Sequence, residues 1–159
     1  MTDRLIAVVL DEAGLAPPGP QALQERRVAI HDLVQDSSFA LPPREGRRVA
    51  GPWRLALGVR DRRLVFAVST EAGEPAGEFH LSLGPFRQVV KDYDQICESY
   101  AAAVASLHPG QIETVDMARR GIHDEGARIL QERLEGKAIL DTDTARRLFT
   151  LICVLRAEA

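Results

Sequence analysis

A chain of 159 residues and 17.5 kDa is long enough for one domain with a real core and short for two. Apolar residues make up 45% and charged residues 27%, and the net charge of -3 is divided evenly between the two halves. These values exclude a disordered chain, a repeat array, a membrane-embedded protein and a strongly basic nucleic-acid binder.

Residues 5–10 are apolar on both alternating faces and predict a central strand covered on both sides. Two glycines and three prolines over residues 14–20 predict a loop. Helical spacing over 21–35 places Leu23, Ile30 and Val34 on one stripe, and 37–51 reads as a long connection. Trp53, Leu55, Leu57 and Val59 then alternate with polar or small residues, the period-two pattern of a half-buried strand. Asp61 and Arg62 form a short polar turn before a return strand through Leu64, Phe66 and Val68. After a second turn region at 71–77, Phe79, Leu81 and Leu83 complete a three-stranded antiparallel meander.

From there the period switches to helix. Gly84 and Pro85 open a helix whose stripe is Phe86, Val89, Val90, Tyr93, Ile96, Cys97, Tyr100 and Val104. A break at His108, Pro109 and Gly110 starts a long helical pattern through Leu134, and Gly136 closes it. Gly121 and Gly126 are the two places where that helix could break. Asp141, Thr142, Asp143 and Thr144 supply caps for a last helix that is apolar nearly all round over 148–155, and so is expected to be the most buried. The expected fold is one α+β domain over residues 1–159. It combines a small, mainly antiparallel sheet, made of an N-terminal strand and the meander, with about four helices.

The compartment follows from what the chain lacks. It opens without a basic segment and long apolar core, and its longest strongly apolar run has eight residues where a membrane helix needs about twenty. A cytoplasmic protein with Cys97 and Cys153 reduced is therefore expected.

The strongest chemical signal lies on the third helical segment. Ile112, Val115, Ile122, Ile129, Leu130 and Leu134 define an apolar arc, and Asp116, Arg119 and His123 project inside it. Charges aimed at a core are costly unless paired. One reading is an internal ion-pair network. The other is a polar pocket, with His123 exchanging a proton, Arg119 balancing substrate charge and Asp116 orienting one of them. Arg87 and Lys91, near the positive end of the preceding helix, and Arg146 are candidate anion-binding residues. Lys91 also shares an outward face with Asp94 and Glu98, as in a solvated charge ladder. Seven arginines between Arg44 and Arg63 surround Trp53, but the strand alternation turns them onto a solvated sheet face. Two His-Asp doublets, His31-Asp32 and His123-Asp124, lack the spacing of a metal site, and no Cys-x-x-Cys, His-x-x-x-His or phosphate-binding loop occurs. No metal or cofactor is expected.

Four segments, residues 82–86, 96–100, 116–126 and 143–155, together resemble an uncharacterised bacterial protein family, number zero-two-six-two. The run from Thr144 to Leu155 is its most specific part. The resemblance covers nearly the whole chain and implies a bacterial cytosolic protein; it brings no activity or catalytic residue. The function therefore reads as unknown, with a non-catalytic binding or regulatory module ahead of a small hydrolase or transferase acting on a phosphorylated or anionic substrate. The expected partner is a protein or a small anionic ligand, not a membrane or nucleic acid, and a homodimer interface would extend the core.

Overall fold

The computed structural model describes residues 3–11, 19–106 and 109–158, with side chains through Leu155. Most of the proline-rich loop and the break at His108 lie outside the described residues. The elements run β1 (Leu5–Asp11), α1 (Pro20–Gln35), β2 (Phe39–Ala40), β3 (Trp53–Arg60), β4 (Arg63–Thr70) and β5 (Pro75–Ser82). A 3-10 turn at Gly84–Phe86 follows, then α2 (Arg87–Ser106), α3 (Pro109–Arg133), β6 (Ile139–Leu140) and α4 (Thr142–Glu158). The architecture is α+β.

The main sheet has the order β1-β3-β4-β5, with β1 parallel to β3 and the other two pairs antiparallel. The meander is as expected. Its first turn uses Asp61 and Arg62 at φ 53° and 61°, the double left-handed conformation that matches the twist of a two-residue hairpin. Cross-strand pairs Leu57–Phe66, Val59–Leu64 and Phe66–Phe79 fix the register and bring large side chains together on one face. The third strand starts earlier than the alternation suggests, at Pro75, so the turn shrinks to the residues before it, and Leu83 lies beyond the strand.

Two expectations are corrected at the N-terminal end. The first strand is an edge strand, not a central one, and Val9 is 59% exposed. α1 packs against β1, whose Leu5, Val8 and Leu10 are buried while Val9 is exposed. A register irregularity between Leu5 and Ala7 lets Leu5 share the inner face with Val8 and Leu10, which strict alternation forbids. In α1 the inward residues are Ala29 and Leu33, with Ala22 and Ile30 packed beside them, so the stripe is rotated from one through Leu23 and Val34. Small alanines carry that contact, and larger side chains nearby obscure it.

Gly121 and Gly126 do not interrupt α3, which is one continuous helix. In α2 the distal inward residue is Ala103, and Val104 is 43% exposed. α2 as a whole packs mainly along α3 and only lightly against α4. The last helix is the centre of the core: Leu148, Phe149 and all five residues from Leu151 to Leu155 are buried. Its start is capped as the sequence suggests, with Asp141 Oδ1 accepting the Thr144 amide at 2.9 Å. The connection after α1 is ordered by the short β2–β6 pair, and Phe39 there is fully buried. Among the described residues no helix is long and apolar enough to cross a membrane.

Candidate functional site

The inward polar residues of α3 divide into two groups. Asp116 is held by arginines on its own helix, Arg119 Nη2 at 3.0 Å and Arg120 Nη2 at 3.1 Å. The Arg119 guanidinium also lies 4.8 Å from the centre of the Tyr100 ring, so α2 and α3 are bridged by a cation–π contact. Of the three candidate catalytic residues, Asp116 and Arg119 are thus brought together. His123 stands apart from Asp116, since seven helical residues span about 10 Å.

His123 sits among aromatic rings. Tyr93 of α2 is 5.1 Å away, centre to centre, and Phe149 of α4 meets it edge-on at 6.2 Å and 80°. Its Nε2 is buried with no hydrogen-bond partner. Burial, reinforced by the positive charges of Arg119 and Arg146, pushes the imidazole pKa down to about 4. The ring is therefore neutral at pH 7.

The same junction brings Tyr93 and Cys97 of the α2 stripe onto Glu25 of α1, which the α1 stripe did not include. Tyr93 donates its hydroxyl hydrogen to Glu25 Oε1 of α1 at 3.0 Å, and Cys97 Sγ lies 4.0 Å from the same oxygen. Burial raises the Glu25 carboxyl above the usual range, partly opposed by the Tyr93 hydrogen bond and the Arg119 charge. Burial, then the Glu25 charge, raises the Cys97 thiol, and burial raises Cys153 further. Both cysteines are free, and both are protonated thiols rather than nucleophilic thiolates. The sequence signal for Tyr93 and Cys97 was their i,i+4 spacing on the α2 stripe. Glu25 was hidden because it lies between Ala22 and Ala29, on a face that a Leu23-centred stripe turns outward.

The candidate anion residues are not gathered into one place. Arg87 and Lys91 are exposed on α2, as are Asp94 and Glu98. Arg146 is already engaged: its Nε lies 2.7 Å from Asp124 of α3, and its Nη1 lies 3.2 Å from Asp143. That pairing also gives the Asp of the second His-Asp doublet an ordinary structural partner. Among the described residues no group of three or more His, Cys, Asp or Glu side chains is placed to hold a metal ion. Three arginines of the 44–63 segment are likewise engaged: Arg44 with the Ala76 carbonyl, Arg48 with Asp3 at 2.6 Å, and Arg54 with the Glu71 carbonyl at 3.0 Å.

Beyond Arg119 and Tyr100, an open, shallow cleft lies on the surface where the end of α2 meets the start of α3. Ser99, Ala102, Ala103 and Ser106 line it from α2, and Thr114 and Val115 from α3. The three hydroxyls donate to carbonyls of their own helices: Ser99 to Gln95, Ser106 to Ala103 and Thr114 to Gly110. Their oxygens keep lone pairs free to accept.

A profile described as Uncharacterised protein family (UPF0262) matches residues 2–158. The chain belongs to this family. A UPF0262 protein of Roseobacter denitrificans is 67% identical over 153 residues, covering 96% of each chain. Another, from Ruegeria pomeroyi, is 66% identical over 153 residues, covering 96% of this chain and 95% of the relative. A third, from Paracoccus denitrificans, is 64% identical over 154 residues with the same coverage. No solved structure matches. The UPF0262 relatives carry no activity in their names, so the chemistry of this chain rests on its own geometry.

Proposed function

We propose that this UPF0262 chain is a cytoplasmic, single-domain binding module without catalysis of its own, and that its ligand enters the cleft between α2 and α3. The cleft carries this reading. It is open to solvent, and small apolar side chains there are interspersed with a few polar groups. The free lone pairs of Ser99, Ser106 and Thr114 suit a ligand with an apolar body and one or two N–H or O–H donors. Among the described residues no charged side chain lines it, so a neutral ligand fits better than an anion.

One observation favours the second reading, a hydrolase or transferase acting on an anionic substrate: the unpartnered Nε2 of His123. In that reading His123 exchanges the proton, Arg119 and Arg146 balance charge, and Arg87 and Lys91 draw the anion inward. The prior engagement of Arg119 and Arg146 with carboxylates weighs against it.

Amide NMR with a library of neutral fragments tests the first reading. Shifts clustered at 99–106 and 110–115, lost in Val115→Trp, are expected. Shifts centred on His123, or none at all, would overturn it. Thermal stabilisation by inorganic phosphate that disappears in His123→Ala would establish the enzyme reading instead.

A further inference from the structure

The face of α3 turned away from the core carries a second surface, which adjoins the cleft at Gly110 and is tested at other residues. At 100° per residue, Gly110, Met117 and Gly121 lie within about 20° of one line, opposite the buried Gly126 and Leu130. Met117 is 66% exposed at the middle of this line. The two glycines inside α3 have different reasons. A β-carbon on Gly126 would collide with the Phe149 ring, whereas one on Gly121 would meet nothing within 4 Å. Glycine inside a helix costs stability relative to alanine, and among the described residues no close contact at Gly121 calls for it. Close approach from outside the protomer would.

We propose that a second copy of this chain docks here, its α3 antiparallel to the first about a two-fold axis at Met117. Charge complementarity identifies the occupant. Glu113 and Arg120 share one flank of the line, four residues before Met117 and three after it. With a rise of 1.5 Å per residue they lie about 6 Å and 4.5 Å from the axis on opposite sides. A two-fold operation therefore sets Glu113 of each copy against Arg120 of the other. The arrangement is self-complementary, as a closed isologous dimer requires. Met117 packs on its symmetry mate, and Gly121 admits the opposing helix closely. Arg120 is 76% exposed and, among the described residues, is paired with Asp116, with room on its fork for an incoming carboxylate.

Sedimentation of the full chain over micromolar to sub-millimolar concentration tests this arrangement. A reversible dimer is expected, weakened at least about tenfold by Glu113→Arg and restored to within about threefold by Glu113→Arg with Arg120→Glu. Met117→Cys should cross-link to itself on mild oxidation, while Arg87→Cys on the exposed start of α2 should not. A chain that stays monomeric throughout, a dimer indifferent to Glu113→Arg, or a double reversal that fails to restore it would overturn the proposal. Circular dichroism of each variant separates a lost interface from a lost fold.

Discussion

Gly126 of α3 lies flat against the ring of Phe149 on α4. A β-carbon at this position would stand 2.5 Å from both Cγ and Cδ1 of that ring. The ring is fully buried and also meets Tyr93 edge-on at 6.1 Å, so it has nowhere to retreat. Gly126→Ala should therefore destabilise the protein by about 1–3 kcal/mol, the usual cost of overpacking. Gly121→Ala, in open space on the same helix, should stabilise the protomer by about 0.5–1 kcal/mol. Urea denaturation of both variants at low protein concentration checks the pair. Equal effects would mean that α3 and α4 are not closely packed here.

His123 sets a pH dependence whose sign follows from its depressed pKa. The unfolded chain takes up the proton near pH 6.5, and the folded chain only near pH 4. Between these values the unfolded state binds more protons. Stability must therefore fall as the pH drops from 7 towards 4 and level off below that. Allowing for the partial exposure of the ring, the loss should be about 2 kcal/mol. His123→Phe keeps the contacts with Tyr93 and Phe149 and removes both the titration and the unpartnered nitrogen. Denaturation midpoints for the two proteins should diverge below pH 6, with the phenylalanine variant the flatter. Parallel curves would show that the imidazole is freely solvated.

The Tyr93–Glu25 hydrogen bond ties α2 to α1 across a half-buried space. Tyr93→Phe removes the donor and leaves a carboxylate already raised by burial with less to hold its charge. A loss of about 1–2 kcal/mol at pH 7 is expected, smaller at pH 4.5, where protonation of Glu25 relieves the uncompensated charge. A double-mutant cycle with Glu25→Gln should return a coupling above about 0.5 kcal/mol. A cycle with no coupling would mean that the two groups do not meet in solution.

Patterns set by large side chains were legible. The meander was readable because Leu55, Leu57, Leu64, Phe66 and Phe79 alternate, and α4 because its caps precede an all-apolar run. Features set by small side chains or distant pairing were not. Nothing local distinguishes an edge strand from a central one when residues 5–10 are apolar throughout, because the neighbour that covers or fails to cover them lies elsewhere in the chain. Glu25 joined the candidate site only because Ala22 and Ala29, not Leu23, face inward. On α3 Asp116, Arg119 and His123 were expected to project inward, and all three are half-buried. Their partners were not legible, because Tyr93, Tyr100 and Phe149 belong to other helices.

Thr144 joins the start of α4 to the connection after α1. It is the one polar or charged residue fully buried among those described. Its amide donates to Asp141 Oδ1 at 2.9 Å, and its Oγ1 accepts the Ser38 amide at 2.9 Å across more than a hundred residues of chain. Thr144→Val preserves shape and strands the Ser38 N–H, so a loss of about 1–3 kcal/mol is expected. Asp141→Ala removes only the cap and should cost about 1 kcal/mol. The two effects also differ in place. In amide hydrogen exchange Thr144→Val should expose Ser38 and Phe39, while Asp141→Ala should fray only the first turn of α4. If Thr144→Val left exchange at Ser38 unchanged, the hydroxyl would not be that amide's partner.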